Sequence, residues 1–121
     1  MSSSRDRLAE IITPMLPDDW RRIERHTVRA IGTLSAPTVF IDFMTMSHAG
    51  MPAGSLVDGF EVTLVSHLTD YAKAEDEIDE AAKHLVKHLD PSGRVAWSTA
   101  RKASFGDYLG WTIDVQLLNT I

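Results

Sequence analysis

The sequence contains no cysteine in its 121 residues. This excludes a disulfide framework, a cysteine zinc ribbon, an iron–sulfur cluster and a thiol nucleophile, and leaves the redox compartment open. Long apolar runs are also missing, since no stretch approaches the roughly 18 residues of a membrane-spanning helix. The N-terminal residues Ser4-Arg5-Asp6-Arg7 place charge where a secretory signal carries an apolar run. The expectation is a soluble protein made inside a cell, with no membrane contact. Positive charge is scarce too: 12 Lys and Arg stand against 17 Asp and Glu, a formal net charge of −5. A protein whose main task is gripping nucleic acid needs a concentrated basic face. Gly-x-Ser-x-Gly, P-loop and Gly-x-Gly-x-x-Gly motifs are absent as well.

What is present describes an ordinary globular chain, 44% hydrophobic and 24% charged, long enough for one domain, 1–121, with its own core. Leu8, Ile11, Ile12, Met15 and Leu16 recur at helical spacing, with Ser3 and Asp6 as a capping pair and Pro14 and Pro17 as the stop. Asp18 to Thr27 reads as an edge strand. Thr38 to Met46 reads as a strand apolar on both faces, Val39, Ile41 and Phe43 on one and Phe40, Met44 and Met46 on the other. Such a strand is covered on both sides, by the protein's own helices or by another subunit. Phe60 to Leu68 alternates as a half-buried strand, and Ser47 to Gly59 reads as an unusually long hairpin connection.

The strongest helix signal runs from Tyr71 to Leu89, with Ile78, Ala81, Ala82, Leu85 and Leu89 on one face, Thr69 or Asp70 as N-cap, and Pro91 and Gly93 as terminators. Arg94 to Ala103 and Leu109 to Leu117 close the chain as a hairpin. The order α-(β)-β-β-α-β-β predicts a single α+β domain: two helices on an antiparallel or mixed sheet of four to five strands.

Few side chains suggest chemistry. Glu80, His84 and His88 stand four apart on the long helix, a spacing that can hold zinc, but no Glu follows the first His as in metalloproteases, and Lys83 and Lys87 sit beside them. The preferred reading is a solvated helix flank, so no metal, cofactor or catalytic residue is assigned. Asp42 inside an apolar strand is either a carboxylate with a raised pKa or the partner of a basic group. Half of the basic residues lie in the first quarter as Arg5, Arg7, Arg21, Arg22, Arg25 and Arg29, but five acids are interleaved, which favours a mixed or subunit-facing surface over a DNA contact. Met44, Met46 and Met51 surround the long hairpin and suit an adaptable protein-binding surface, although core packing explains Met44 and Met46 nearly as well and Met51, in the loop, is the more informative. The excess acid has an address: residues 70–80 hold Asp70, Glu75, Asp76, Glu77, Asp79 and Glu80 against Lys73 alone. Carboxylates there suit the helix dipole.

The succession of an amphipathic N-terminal helix, Leu16-Pro17-Asp18-Asp19-Trp20, Ala36-Pro37-Thr38-Val39, Val62 through Asp70, Ala74-Glu75-Asp76-Glu77-Ile78-Asp79, Trp97-Ser98-Thr99-Ala100 and Trp111 through Val115 resembles the tail terminator proteins of long-tailed phages infecting actinobacteria. The resemblance spans nearly the whole chain and departs at Arg29 to Leu34, where a more polar stretch is expected. It implies a structural, non-enzymatic virion protein: an α+β subunit forming a hexameric ring on the last ring of the tail tube. That ring would end tube polymerisation, meet the head-completion protein of the connector, and let DNA pass without sequence-specific binding. Location at the head–tail junction and assembly in the host cytoplasm follow. Arg21, Arg22, Arg25, Arg29, Asp42, Met46, His48 and Met51 are the residues expected at ring or tube contacts. The alternatives are a head-completion or neck protein of the same connector, or a small metal- or ligand-binding domain using Glu80, His84 and His88.

Overall fold

A computed structural model describes residues 3–20, 22–24, 27–48, 55–93 and 95–120. Helix α1 spans Ser4–Ile12, and its start is fixed by a capping box. Ser3 Oγ accepts the Asp6 N–H at 3.1 Å, and the Asp6 carboxylate accepts the Ser3 N–H at 3.4 Å. Two of the four orphan amides of the first turn are thereby satisfied. Pro14 falls in a 3-10 turn, Thr13–Met15, that ends the helix. Helix α2, Tyr71–Leu89, starts at Asp70, whose carboxylate accepts the Lys73 N–H at 3.0 Å. It buries Ala74, Ile78, Ala81, Ala82, Leu85 and Leu89, the face its periodicity predicts with Ala74 added.

Among the described residues, five strands form one mixed sheet in the order β1-β2-β3-β5-β4: β1 Arg22–Glu24, β2 Thr38–Ser47, β3 Ser55–Val65, β4 Val95–Phe105 and β5 Tyr108–Thr120. The α+β class and the element order are those the sequence predicts. The expected edge strand over Asp18 to Thr27 is shorter. Its first residues form a 3-10 turn, Asp18–Trp20, because Trp20 turns into the core, leaving three residues that pair parallel with β2. A parallel pair needs a crossover, and here the chain from β1 to β2 supplies it across the sheet face opposite the helices.

That crossover completes a second small core. Val28 and Leu34 pack with Phe40 and Val65, flanked by Ile31, Phe105 and Tyr108, and the Leu34 N–H donates to the Tyr108 hydroxyl at 3.0 Å. Within the stretch Arg29 to Leu34, Ile31 and Leu34 therefore cover the outer face of the sheet around Phe40 and Val65. On the helix side, α1 and α2 bury Val39, Ile41, Phe60, Val62, Leu64, Ile113 and Val115. The first half of β2 is thus covered on both faces by its own chain, through helices on one side only. Its distal half is not, for Met44 and Met46 are 47% and 62% exposed.

The connection expected over Ser47 to Gly59 is a correction, because β3 already begins at Ser55. Asp58-Gly59 looks like a turn but lies in a strand. The β2–β3 register slips between Phe43 and Thr45, and Gly59 faces Thr45 so closely that an added Cβ would lie 2.1 Å from Thr45 Oγ1. Glycine is used here for close approach at a bulge. Asp58 is buried and accepts the Ser4 hydroxyl, tying α1 to β3. The β4–β5 link is likewise shorter than the gap between the expected strands Arg94 to Ala103 and Leu109 to Leu117. Phe105 pairs with Tyr108, so only Gly106 and Asp107 turn, with Gly106 at φ 63°.

Candidate interaction surfaces

The histidine flank is organised by backbone. A carbonyl only accepts, so His84 Nδ1–H donates to the Met15 carbonyl at 2.9 Å and His88 Nδ1–H to the His84 carbonyl at 2.8 Å. The two rings stack with centroids 4.4 Å apart. His84 thereby pins α2 to the end of the α1 segment. Glu80 is exposed beside them, and among the described residues no three His, Asp or Glu side chains are grouped to hold a metal ion. Asp42 is half-buried, and its carboxylate accepts the Val28 N–H at 3.3 Å. It thus anchors the crossover to β2.

Of the other residues expected at contacts, the four that are described form two patches on one edge of the sheet. Arg22, on β1, bonds Glu24 and the Ser35 hydroxyl, both at 3.3 Å, and Arg29 is exposed on the 3-10 turn Val28–Ala30. Met46 and His48 are exposed at the far end of β2. Arg22 pairs with Thr38, so at about 3.3 Å per residue roughly 26 Å separates Arg22 from Met46. Arg21, Arg25 and Met51 lie outside the described residues.

The opposite edge carries a site that the sequence reading missed. Trp111 on β5 donates its indole N–H to Asp79 of α2 at 2.7 Å. Lys102 on β4 places its ammonium 3.0 Å from Asp79, 3.2 Å from Glu75 and 5.3 Å from the Trp111 ring centroid. The Trp111 hydrogen bond, then the Lys102 ammonium, hold the Asp79 carboxyl below its ordinary range, and Asp79 in turn raises Lys102. Two of the six carboxylates in the acidic cluster are therefore committed to the sheet. The i, i+4 spacing of Glu75 and Asp79 and the alternation placing Trp111 on the helix side were visible in the sequence. Their meeting, 32 residues apart, was not.

Beside this network α2 and β4 diverge into a cleft of about 770 Å³. Ala82, Val86, Trp97, Ala100 and Trp111 give it an apolar lining, and Lys83 and Lys87 contribute from the helix. A smaller cleft of about 310 Å³ opens on the other flank of α2, between Asp19, Trp20, Glu77, Glu80 and His84. The outer sheet face is polar: Arg101 bridges Glu61 at 2.6 Å and Asp114 at 2.8 Å, and Asp114 chiefly raises the guanidinium pKa. Half-exposed pairs of this kind contribute little stability.

These features define an α+β domain whose notable sites are surfaces and clefts between elements. Among the described residues, no helix is long and apolar enough to cross a membrane. Comparison with protein-family models gives no match, and comparison with curated proteins gives none either.

Proposed function

We propose that this protein is a structural subunit of the tail terminator kind, assembling into a hexameric ring that caps a phage tail tube, ends its polymerisation and offers the attachment surface for the head connector. The observation that carries the reading is the distal β2–β3 hairpin. It continues beyond the doubly covered part of the sheet and exposes Met44, at the bulge, and Met46, paired with Asp58, two of the three large exposed hydrophobics among the described residues. Exposed methionines near one hairpin end suit a repacking protein contact. The resemblance of the chain's motif order to tail terminators supplies the identity of the partner, the tail tube protein. The mixed surface near Arg22 and Arg29 contributes a second contact, to a ring neighbour or the tube.

In this role the protein acts by geometry and performs no catalysis. It resides at the head–tail junction after assembly in the host cytoplasm, and DNA passes through the ring without sequence-specific contacts. Deleting the gene from a phage that carries it tests the proposal. Abnormally long tails, or tails unjoined to heads, are expected; normal tails beside heads that leak DNA overturn it in favour of a neck protein.

A further inference from the structure

We propose that the two flanks of α2 are complementary halves of one contact between copies of this chain. The tryptophan-lined, lysine-bearing cleft of one copy receives the acidic flank around Asp19 and Glu80 of the next. The inference rests on the self-assembling reading above and names the surface by which assembly occurs.

Helical geometry sets the two flanks apart. At about 100° per residue, Asp79, Lys83, Val86 and Lys87 project toward β4, whereas Glu77, Glu80 and His84 project toward the segment after α1. The two clefts share no lining residue. Charge is divided between them. Lys83 and Lys87 are exposed one turn apart, and among the described residues neither forms an ion pair, although Asp79 lines the same cleft and feels the Lys83 charge; Lys102 nearby is already held by Glu75 and Asp79. Across the helix, Asp19 and Glu80 are exposed and likewise form no ion pair among the described residues, and Glu77 Oε1 is buried without a hydrogen-bond partner.

An apolar cleft with two indole surfaces supplies burial, and the paired charges supply register. Opposite charge at separate places on a single chain is what a heterologous contact requires, because each copy offers one patch and receives the other. The same arrangement leaves Met44 and Met46 on the far hairpin free for the tube. A foreign acidic partner would use the lysine cleft alone and would be indifferent to Asp19 and Glu80.

Two charge-reversed forms of the full chain test this. Lys83→Glu with Lys87→Glu makes both flanks acidic, and Asp19→Lys with Glu80→Lys makes both basic. All four positions are exposed, and far-UV circular dichroism checks that each form folds. Native mass spectrometry is expected to show self-association weakened on the order of 100-fold in each form alone, since like charges face each other. An equimolar mixture should reassemble, with the two forms alternating, and the wild-type assembly should loosen as salt rises. If the wild type assembles and each reversed form assembles equally well, the contact proposed here is wrong while the ring reading stands. If each form folds and stays apart alone and in the mixture, complementarity between these flanks is refuted. A wild type that never associates overturns both.

Discussion

Trp111→Phe, Asp79→Ala and the double variant isolate the contact that closes α2 onto the β4–β5 hairpin. The indole N–H to carboxylate bond is 2.7 Å long, and hydrogen bonds to charged groups contribute about 1.5–3 kcal/mol when well shielded. The Asp79 side chain is 35% exposed, so solvent screening brings the expected coupling down to about 1 kcal/mol. The cycle cancels the volume lost on replacing indole by phenyl, which a single variant would not. Urea unfolding of the four proteins near pH 7 gives the coupling directly. Its pH dependence follows from the directions of the shifts. Asp79 is held below its ordinary 3.8, so its contribution is fully present above that value and is lost as pH falls through the lower folded value. Lys102, raised above 10.5, contributes fully below that value and loses its share only as pH rises through the higher folded value. Additive effects near pH 7, within about 0.3 kcal/mol, would refute the reasoning, as would a coupling that survives protonation of Asp79 undiminished.

Three further outcomes are expected. Leu85→Ala, at a fully buried position on the inner face of α2, should cost about 2–5 kcal/mol in the same unfolding assay. Gly59→Ala should destabilise by about 1–3 kcal/mol through collision with Thr45 Oγ1, and Thr45→Ala in the same chain should recover much of the loss. Additive losses would contradict the bulge register. Met44→Glu with Met46→Glu, at exposed positions, should leave stability within about 0.5 kcal/mol while abolishing pull-down of tail tube protein; retained pull-down would remove the hairpin from the contact.

Local signals were legible where they decided the structure. The Tyr71 to Leu89 periodicity, the Asp70 cap and the Ser3–Asp6 box each act within a few residues, and each is found in place. Readings failed where a distant partner changed the meaning of a local signal. Asp58-Gly59 has turn chemistry, yet the Ser4 hydroxyl donates to Asp58 Oδ2 and Thr45 occupies the space beside the glycine, so the pair stays in a strand. At the start of the segment Asp18 to Thr27 a 3-10 turn that buries Trp20 replaces the expected strand, which is found at Arg22–Glu24. Its parallel pairing depends on a crossover whose cover, Val28 and Leu34, only Phe40 and Val65 explain. The acidic run of residues 70–80 read as one surface, but Lys102 and Trp111 claim Glu75 and Asp79 and leave the exposed Asp76 and Glu80 to set the field. The cleft beside Trp97 and Trp111 was hidden for the same reason, because it exists only where α2 lies across two strands that follow it in the chain.

The central claim is that this fold is built to meet copies of itself on a tube. Native mass spectrometry of the wild-type chain over a range of concentrations, with and without tail tube protein, tests it most directly. A closed species of six chains, favoured when tube protein is added, is the predicted result; a chain that remains strictly monomeric under every one of these conditions would contradict the account.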